Sequence, residues 1–204
     1  VCGHHWADLN EFGFGVAVLN DCKYGYSCED NVLRLSLLRS SKQPDASADM
    51  GAQHFNYGLL AHEGCHASSK LPLIGLEFNQ PPIIISGVSS KSIDAPNFTH
   101  ALTGEVSALT MRPNSTLVLE TVKLPEPNSK LGSSDRLVIL RLWESSGSRG
   151  TATFQTSLPL EKIQLVNILE NPIEDSKNHI TLSNSDHTFS VSYGPFEVIT
   201  LACL

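Results

Sequence analysis

Apolar and polar residues alternate with a period of two along most of this chain. In Phe14–Leu19 both alternations are apolar and Val-rich, which predicts a strand buried on both faces. Asn20–Gly25 then supplies Asn, Asp and Gly, residues that tolerate turn geometry. The chain is predicted to return as a hairpin through Tyr26–Cys28 or Val32–Leu38. In the latter, Leu33, Leu35 and Leu37 alternate with Arg34, Ser36 and Leu38, so one face is apolar and the other mostly polar. Pro44, Asp45 and Asp49 make Ser40–Gly51 a loop. Phe55, Tyr57, Leu59 and Ala61 mark another strand. A short helix fits within Ser68–Asn79, with Pro72 and Gly75 counting against it. Gln80–Ile85 reads as a short buried strand and the Ser- and Pro-rich Ser86–His100 as an exposed connection.

The second half repeats the pattern at short spacing. Strands are predicted at Val106–Thr110, Thr116–Lys123, Leu137–Glu144, Thr151–Thr156, Lys162–Ile168, His179–Leu182, Thr188–Val191 and Glu197–Ala202. Gly, Pro, Asn or Ser stand between them. Short strands at intervals of roughly 8–12 residues, without a long amphipathic helix, predict an all-β antiparallel β-sandwich. We expect 1–124 to form the main part of a large sandwich and 125–134 a surface loop or weak boundary. Residues 135–204 would then complete that sandwich or form a small second one.

Composition narrows the function. At 204 residues and 41% hydrophobic, the chain can bury a sizeable core. No apolar run approaches the roughly 18 residues of a membrane span, and Val1–Phe12 lacks the pattern of a signal peptide. A formal net charge of −7 argues against a nucleic-acid groove, and scattered Lys and Arg against membrane binding. Five cysteines with no CxxC spacing read as reduced thiols of a cytosolic chain. The sequons at Asn97 and Asn114 matter only in a secreted protein. A start without Met, close to a strand-like pattern, suggests a piece of a longer protein.

Few residues look chemical. His62-Glu63-Gly64-Cys65-His66 matches H-E-x-x-H, which binds zinc when a helix puts both His on one face. The preceding residues alternate as a strand and Gly64 sits in the would-be helical turn, so a strand end running into a polar turn is expected instead. His4-His5 with Asp8 could hold a metal, but adjacent side chains point apart in a strand; one His is expected beside Trp6 and the other exposed. Asp45 and Asp49 are paired carboxylates of the kind used in glycoside hydrolysis, although loop Asp more often caps its own turn. Asp21-Cys22-Lys23-Tyr24 offers donors, acceptors and an aromatic face for a sugar or a neighbouring domain. Lys23 is expected to lower the Cys22 thiol pKa. Gly147-Ser148-Arg149-Gly150 reads as a hairpin turn rather than an anion cradle. Taken alone, these residues make no persuasive active site.

Longer motifs carry a resemblance. HHWADLNEFGFGVAVLNDCKYGYS is similar to the C-terminal β region of family 38 glycoside hydrolases, the α-mannosidases, in the cytosolic and vacuolar branch. The similarity continues through LRLSLLRSSKQPDASADMG, HFNYGLLAH, VLETVKLPE, LVILRLWESSGSRGTATF, NILENP and PFEVITLACL, nearly the whole chain. His5 stands where the family usually has Arg, and Ala61 where it has Pro before His62. The resemblance implies a galactose-mutarotase-like super-sandwich, incomplete at its N-terminus. It implies a parent that hydrolyses terminal α-mannosides with retention on a separate N-terminal domain, where a divalent metal, zinc, binds sugar hydroxyls. No catalytic residue and no metal ligand transfers to this chain. Asn20, Asp21, Lys23, Tyr24 and Gly25 match the family's NDCKYG turn, and Asp45, Asp49 and Gly51 its PD…AD-x-G loop. Turn and loop are expected together at the edge facing the catalytic domain. Expected partners are that domain, a mannose-containing oligosaccharide and further copies in a homo-oligomer; the expected location is cytoplasmic, or vacuolar in a fungus. The alternative is a free-standing carbohydrate-binding module.

Overall fold

The computed structural model describes residues 1–84, 107–112, 116–127, 131, 137–158, 160–173, 180–183 and 187–204. The connection expected at Ser86–His100, Asn97 and Asn114 lie outside the described residues. The chain divides into two compact units, Val1–Ile84 and Ile85–Leu204.

In the first unit, β1 (Trp6–Glu11), β2 (Phe14–Asn20) and β5 (Tyr57–Glu63) form an antiparallel sheet in the order β1-β2-β5. β1 and β2 are joined by Phe12-Gly13, with Gly13 at φ +88°, where a side chain would be strained. The hairpin expected to return from β2 does not pair with it. Among the strands of the described residues, β3 (Gly25–Glu29) and β4 (Val32–Ser36) pair with each other, and Gly25 forms one bridge to Cys2. Both edges of β2 are already taken, and Asn20 bends the chain out of the sheet by accepting from the Lys23 amide at 2.9 Å.

The expected helix appears as α1 (Leu71–Asn79). Pro72 lies in its first turn, where a backbone N–H has no helical acceptor. Gly75 is there for contact: a Cβ would stand 2.5 Å from Cδ1 of Trp6. Leu71 packs on Ala17 and Leu19, with Trp6, Leu60, Ile74 and Phe78 around them. After the helix, the buried strand expected at Gln80–Ile85 is absent over the described part. Pro81–Ile84 carries no regular secondary structure and is exposed, since consecutive prolines have no N–H to donate to a ladder.

The second unit is a two-sheet sandwich. β7 (Leu117–Lys123), β8 (Val138–Glu144), β10 (Ile163–Val166) and β13 (Val198–Cys203) form one sheet, ordered β10-β13-β8-β7. β6 (Leu109–Met111), β9 (Gly150–Thr156), β11 (Ile180–Ser183) and β12 (Thr188–Tyr193) form the other, ordered β11-β12-β9-β6. These match the predicted strands to within a few residues; β10 ends early because Asn167 begins a turn. The inner faces meet in a core of Leu140, Leu142, Phe154, Phe189, Val191 and Leu201. Phe154 and Phe189 face each other across β9 and β12 and stack with centroids 4.7 Å apart.

Residues 125–134, expected as a surface loop or weak boundary, lie between strands of one sheet. β7 lies hydrogen-bonded beside β8, so residues between them connect neighbouring strands of one sheet. The turn at 147–149 also differs from expectation: β8 and β9 belong to different sheets, so it is a crossing between layers and not a hairpin.

Candidate functional site

The Asn20–Gly25 turn is built from the inside. Asn20 is wholly buried. Its Nδ2 donates to Tyr26 Oη, its Oδ1 accepts from the Lys23 amide, and its carbonyl accepts from Asn79 Nδ2 at 3.0 Å. The Asn20 side chain thereby joins the turn to Tyr26 of β3, and its main-chain carbonyl ties the strand end to the C-terminus of α1. Asp21 fastens the other side: Oδ2 accepts from the Asn56 amide at 2.9 Å and from Asn56 Nδ2 at 2.8 Å. Cys22 and Asn56 hold the Asp21 carboxyl below its usual range. Asp21 in turn pushes the Cys22 thiol up, outweighing Lys23, so the expected lowering by Lys23 is reversed.

With its backbone tied, the turn presents its remaining side chains outward. The Lys23 ammonium sits 4.9 Å from the centroid of the Phe55 ring. Tyr24, 44% exposed, packs on His4 with ring centroids 4.4 Å apart. Gly25 bridges to Cys2 and opens β3. The result is an ammonium and two aromatic faces on a rigid frame, suited to stacking and hydrogen bonding rather than to proton transfer. His4, exposed as expected for one of the His pair, packs on Tyr24, and the His66 ring lies near Trp6, at 6.1 Å between rings.

Asp45 and Asp49 serve their own loop. Asp45 Oδ1 accepts from the amide and hydroxyl of Ser47 at 2.9 and 2.7 Å, which lowers its pKa. Asp49, at φ +62°, accepts from the Ser40 amide at 2.7 Å. No hydrogen bond of either carboxylate reaches the turn at Asn20–Gly25.

His62 and Glu63 end β5, and Gly64 at φ +71° breaks the chain away, so HEGCH is a strand end and turn as expected. His62 lies across the central strand instead. Its Nε2 is 2.9 Å from Asp8 Oδ1 on β1, and both side chains are nearly enclosed. Asn10 Nδ2 donates to the other Asp8 oxygen at 2.7 Å. Gly15 makes this crossing feasible, since a Cβ there would stand 2.4 Å from His62 Cε1. The Asp8 hydrogen bond holds the imidazole above its ordinary pKa.

Two buried carboxylates in the second unit went unpredicted. Glu144 accepts from Ser146 N and Oγ, Gly147 N, Ser148 Oγ and Phe196 N, at 2.7–3.0 Å. Burial pushes its pKa up, but these donors and Thr116 outweigh burial and hold it well below the carboxylate range. The donors of the 146–148 turn are thus filled by the chain's own anion. Glu170, at φ +62°, accepts from the Glu126 amide at 2.6 Å and pairs with Lys123 at 2.7 Å and Arg141 at 3.4 Å. An acid closing an apolar strand before Ser-Ser-Gly was the available signal for Glu144. Nothing in NILENP marks Glu170 as buried.

Residues 1–47 match the family model described as glycosyl hydrolases family 38 C-terminal domain. Residues 116–201 match that described as glycosyl hydrolases family 38 C-terminal beta sandwich domain. The chain is 35% identical over 201 residues to alpha-mannosidase 2C1 of Homo sapiens, covering 98% of this chain and 18% of the relative. It is 31% identical over 213 residues to the alpha-mannosidase of Saccharomyces cerevisiae, covering 97% and 18%. It therefore spans about a fifth of the length of these relatives. In structure it resembles an alpha-mannosidase from Enterococcus faecalis V583, with a TM-score of 0.66 at 15% identity over 99% of this chain and 21% of the other.

Proposed function

Because the chain belongs to the C-terminal region of glycosyl hydrolase family 38, we propose that it is the non-catalytic C-terminal part of an α-mannosidase. The parent hydrolyses terminal α-D-mannosides of glycans with retention, on a separate N-terminal domain. What carries this reading is the end-to-end similarity to proteins named alpha-mannosidase, at 31–36% identity over 97–98% of this chain. The parent is cytoplasmic and forms homo-oligomers. Its divalent metal, zinc, belongs to the catalytic domain. Among the described residues no three His, Cys, Asp or Glu side chains converge to hold one, and His62 is already engaged with Asp8.

The role of this chain is to support the catalytic domain, with the Asn20–Gly25 turn and the Asp45–Asp49 loop bordering it. Lys23 and Tyr24 are the side chains that reach toward that domain or toward the mannoside, and Asn20 and Asp21 hold them in place. The full-length polypeptide should cleave an aryl α-D-mannoside and release α-mannose first, read by proton NMR. The 204-residue chain alone should show no turnover; turnover by it, or none by the full-length polypeptide, overturns the proposal. Lys23→Ala in the full-length enzyme should reduce kcat/KM at least tenfold with the Tm moved by under about 2 °C. Equal and small effects on both would remove the turn from the site.

A further inference from the structure

Phe55 and Asn56 stand just before β5, whose first residue, Tyr57, pairs with Asn20 at the end of β2. This register puts them beside the Asn20–Gly25 turn. Asn56 is fastened to Asp21 by three hydrogen bonds. Its amide and Nδ2 donate to Asp21 Oδ2 at 2.9 and 2.8 Å, and its carbonyl accepts from the Asp21 amide at 3.3 Å. Phe55 is fixed through its neighbour, half-buried, with the Lys23 ammonium 4.9 Å from its ring centroid. Lys23 is half-buried as well. Among the described residues no carboxylate stands within ion-pair distance of its ammonium.

The partner chosen for Lys23 has a chemical consequence. A ring face attracts an ammonium through its quadrupole. A carboxylate would instead take one or two of the three N–H donors and neutralise the charge. Over Phe55 the ammonium is held in place while its donors stay free for a ligand. Resting on the reading that the Asn20–Gly25 turn borders the mannoside, we propose that Phe55 is a positioning residue for substrate binding. It holds the Lys23 ammonium so that Lys23 donates to hydroxyl oxygens of a neutral sugar, while the neighbouring Tyr24 face takes the sugar's C–H surface. Tyr24 is itself braced, by the His4 ring at 4.4 Å, and remains 44% exposed. Each of the two presenting side chains is therefore set by a ring before the ligand arrives. A flexible lysine without that ring would have to be ordered by the substrate, and the cost would fall on binding. An aliphatic side chain of similar volume fills the space without the quadrupole, so Phe55→Leu separates positioning from packing.

The test is a kinetic cycle in the full-length polypeptide with an aryl α-D-mannoside. Phe55→Leu should raise KM about three- to tenfold, the worth of a cation–π contact, with kcat within about twofold and Tm moved by under about 2 °C. Phe55→Tyr, which keeps the ring, should restore KM to within about twofold of the parent. In a Lys23→Ala background Phe55→Leu should add nothing, because the ring acts through the ammonium. A second measurement needs neither turnover nor a Phe55 variant. Reductive 13C-methylation keeps the lysine charge, and the Lys23 methyl signal, assigned by its loss in Lys23→Arg, should lie upfield of the other lysine signals through the ring current of Phe55. A Lys23 signal among the others, or a Phe55→Leu effect as large without Lys23 as with it, overturns the proposal. So does an unchanged KM in Phe55→Leu when Lys23→Ala lowers kcat/KM, which would leave the turn at the site and remove only Phe55. A Lys23→Ala enzyme of parental kcat/KM removes the turn from the site and the proposal with it.

Discussion

Glu144 should be the most costly single side chain to remove from the second unit. It is fully enclosed and accepts five hydrogen bonds, three of them from backbone amides of Ser146, Gly147 and Phe196. Glu144→Ala leaves those amides without an acceptor. A buried orphaned donor costs about 1–3 kcal/mol, so three would cost roughly 3–9 kcal/mol if kept dry. Two effects reduce this. The 145–148 turn is only half-buried, so water can enter, and the carboxylate's own desolvation penalty disappears with it. The hydroxyls of Ser146 and Ser148 can turn elsewhere; Ser148 Oγ already meets Thr116 Oγ1 at 2.6 Å. A net loss of about 3–4 kcal/mol follows, a large share of a domain's ordinary 5–15 kcal/mol. For a unit of this size that lowers Tm by about 10–15 °C. Glu144→Gln keeps the shape but turns an NH2 toward N–H donors, so it should lose about 2–3 kcal/mol. Urea unfolding at pH 7 reads both. The acid limb is a second readout. The folded pKa is depressed, so the carboxylate's contribution is complete above the unfolded value of about 4.3 and fades as pH falls below it. Glu144→Gln should flatten that limb. A Glu144→Ala loss under about 1 kcal/mol, with an unchanged acid limb, would refute the assignment of the carboxylate as the tie between the 146–148 turn and Phe196.

The His62–Asp8 pair gives the opposite pH dependence. His62 is raised above its ordinary value, so its contribution is complete below about pH 6.5 and is lost as pH rises through the folded pKa; thermal melts from pH 5.5 to 9 should show this decline in the parent and not in His62→Gln. Gly15→Ala should cost about 1–3 kcal/mol by forcing the His62 ring out of its path, measured by urea unfolding, and Gly15→Ala combined with His62→Ala should recover most of it. Asn20→Ala removes two side-chain hydrogen bonds in a buried site and should cost about 2–3 kcal/mol, while Asn20→Asp, which can accept from both the Lys23 amide and the Tyr26 hydroxyl, should lose less; equal losses would show that the acceptor geometry is unimportant.

Strand positions in the second unit were legible because they depend on local alternation. Thr116–Lys123, Leu137–Glu144 and Thr188–Val191 carry a period of two strong enough to locate β7, β8 and β12. The turn at Asn20–Gly25 was legible for the same reason, as its residue types are those a turn needs. Pro81-Pro82 misled in the other direction: Ile83 and Ile84 look like a strand until the missing amides are counted. Gly15 and Gly75 carried no readable message, since each is defined by a side chain far away in sequence, His62 in one case and Trp6 in the other.

What the sequence by itself determined is the class of fold, the strands, the turn chemistry and, through long ordered motifs, the kinship with family 38. These depend on neighbours along the chain. Pairing was decided only in three dimensions. Whether β2 returns on β3 or lies between β1 and β5 is a choice among strands of similar apolar character, and backbone hydrogen bonds carry no residue identity. The same holds for buried polar groups. Glu144, Glu170 and the His62–Asp8 pair are polar letters in the sequence, and only tertiary packing supplies the partners that satisfy them away from water.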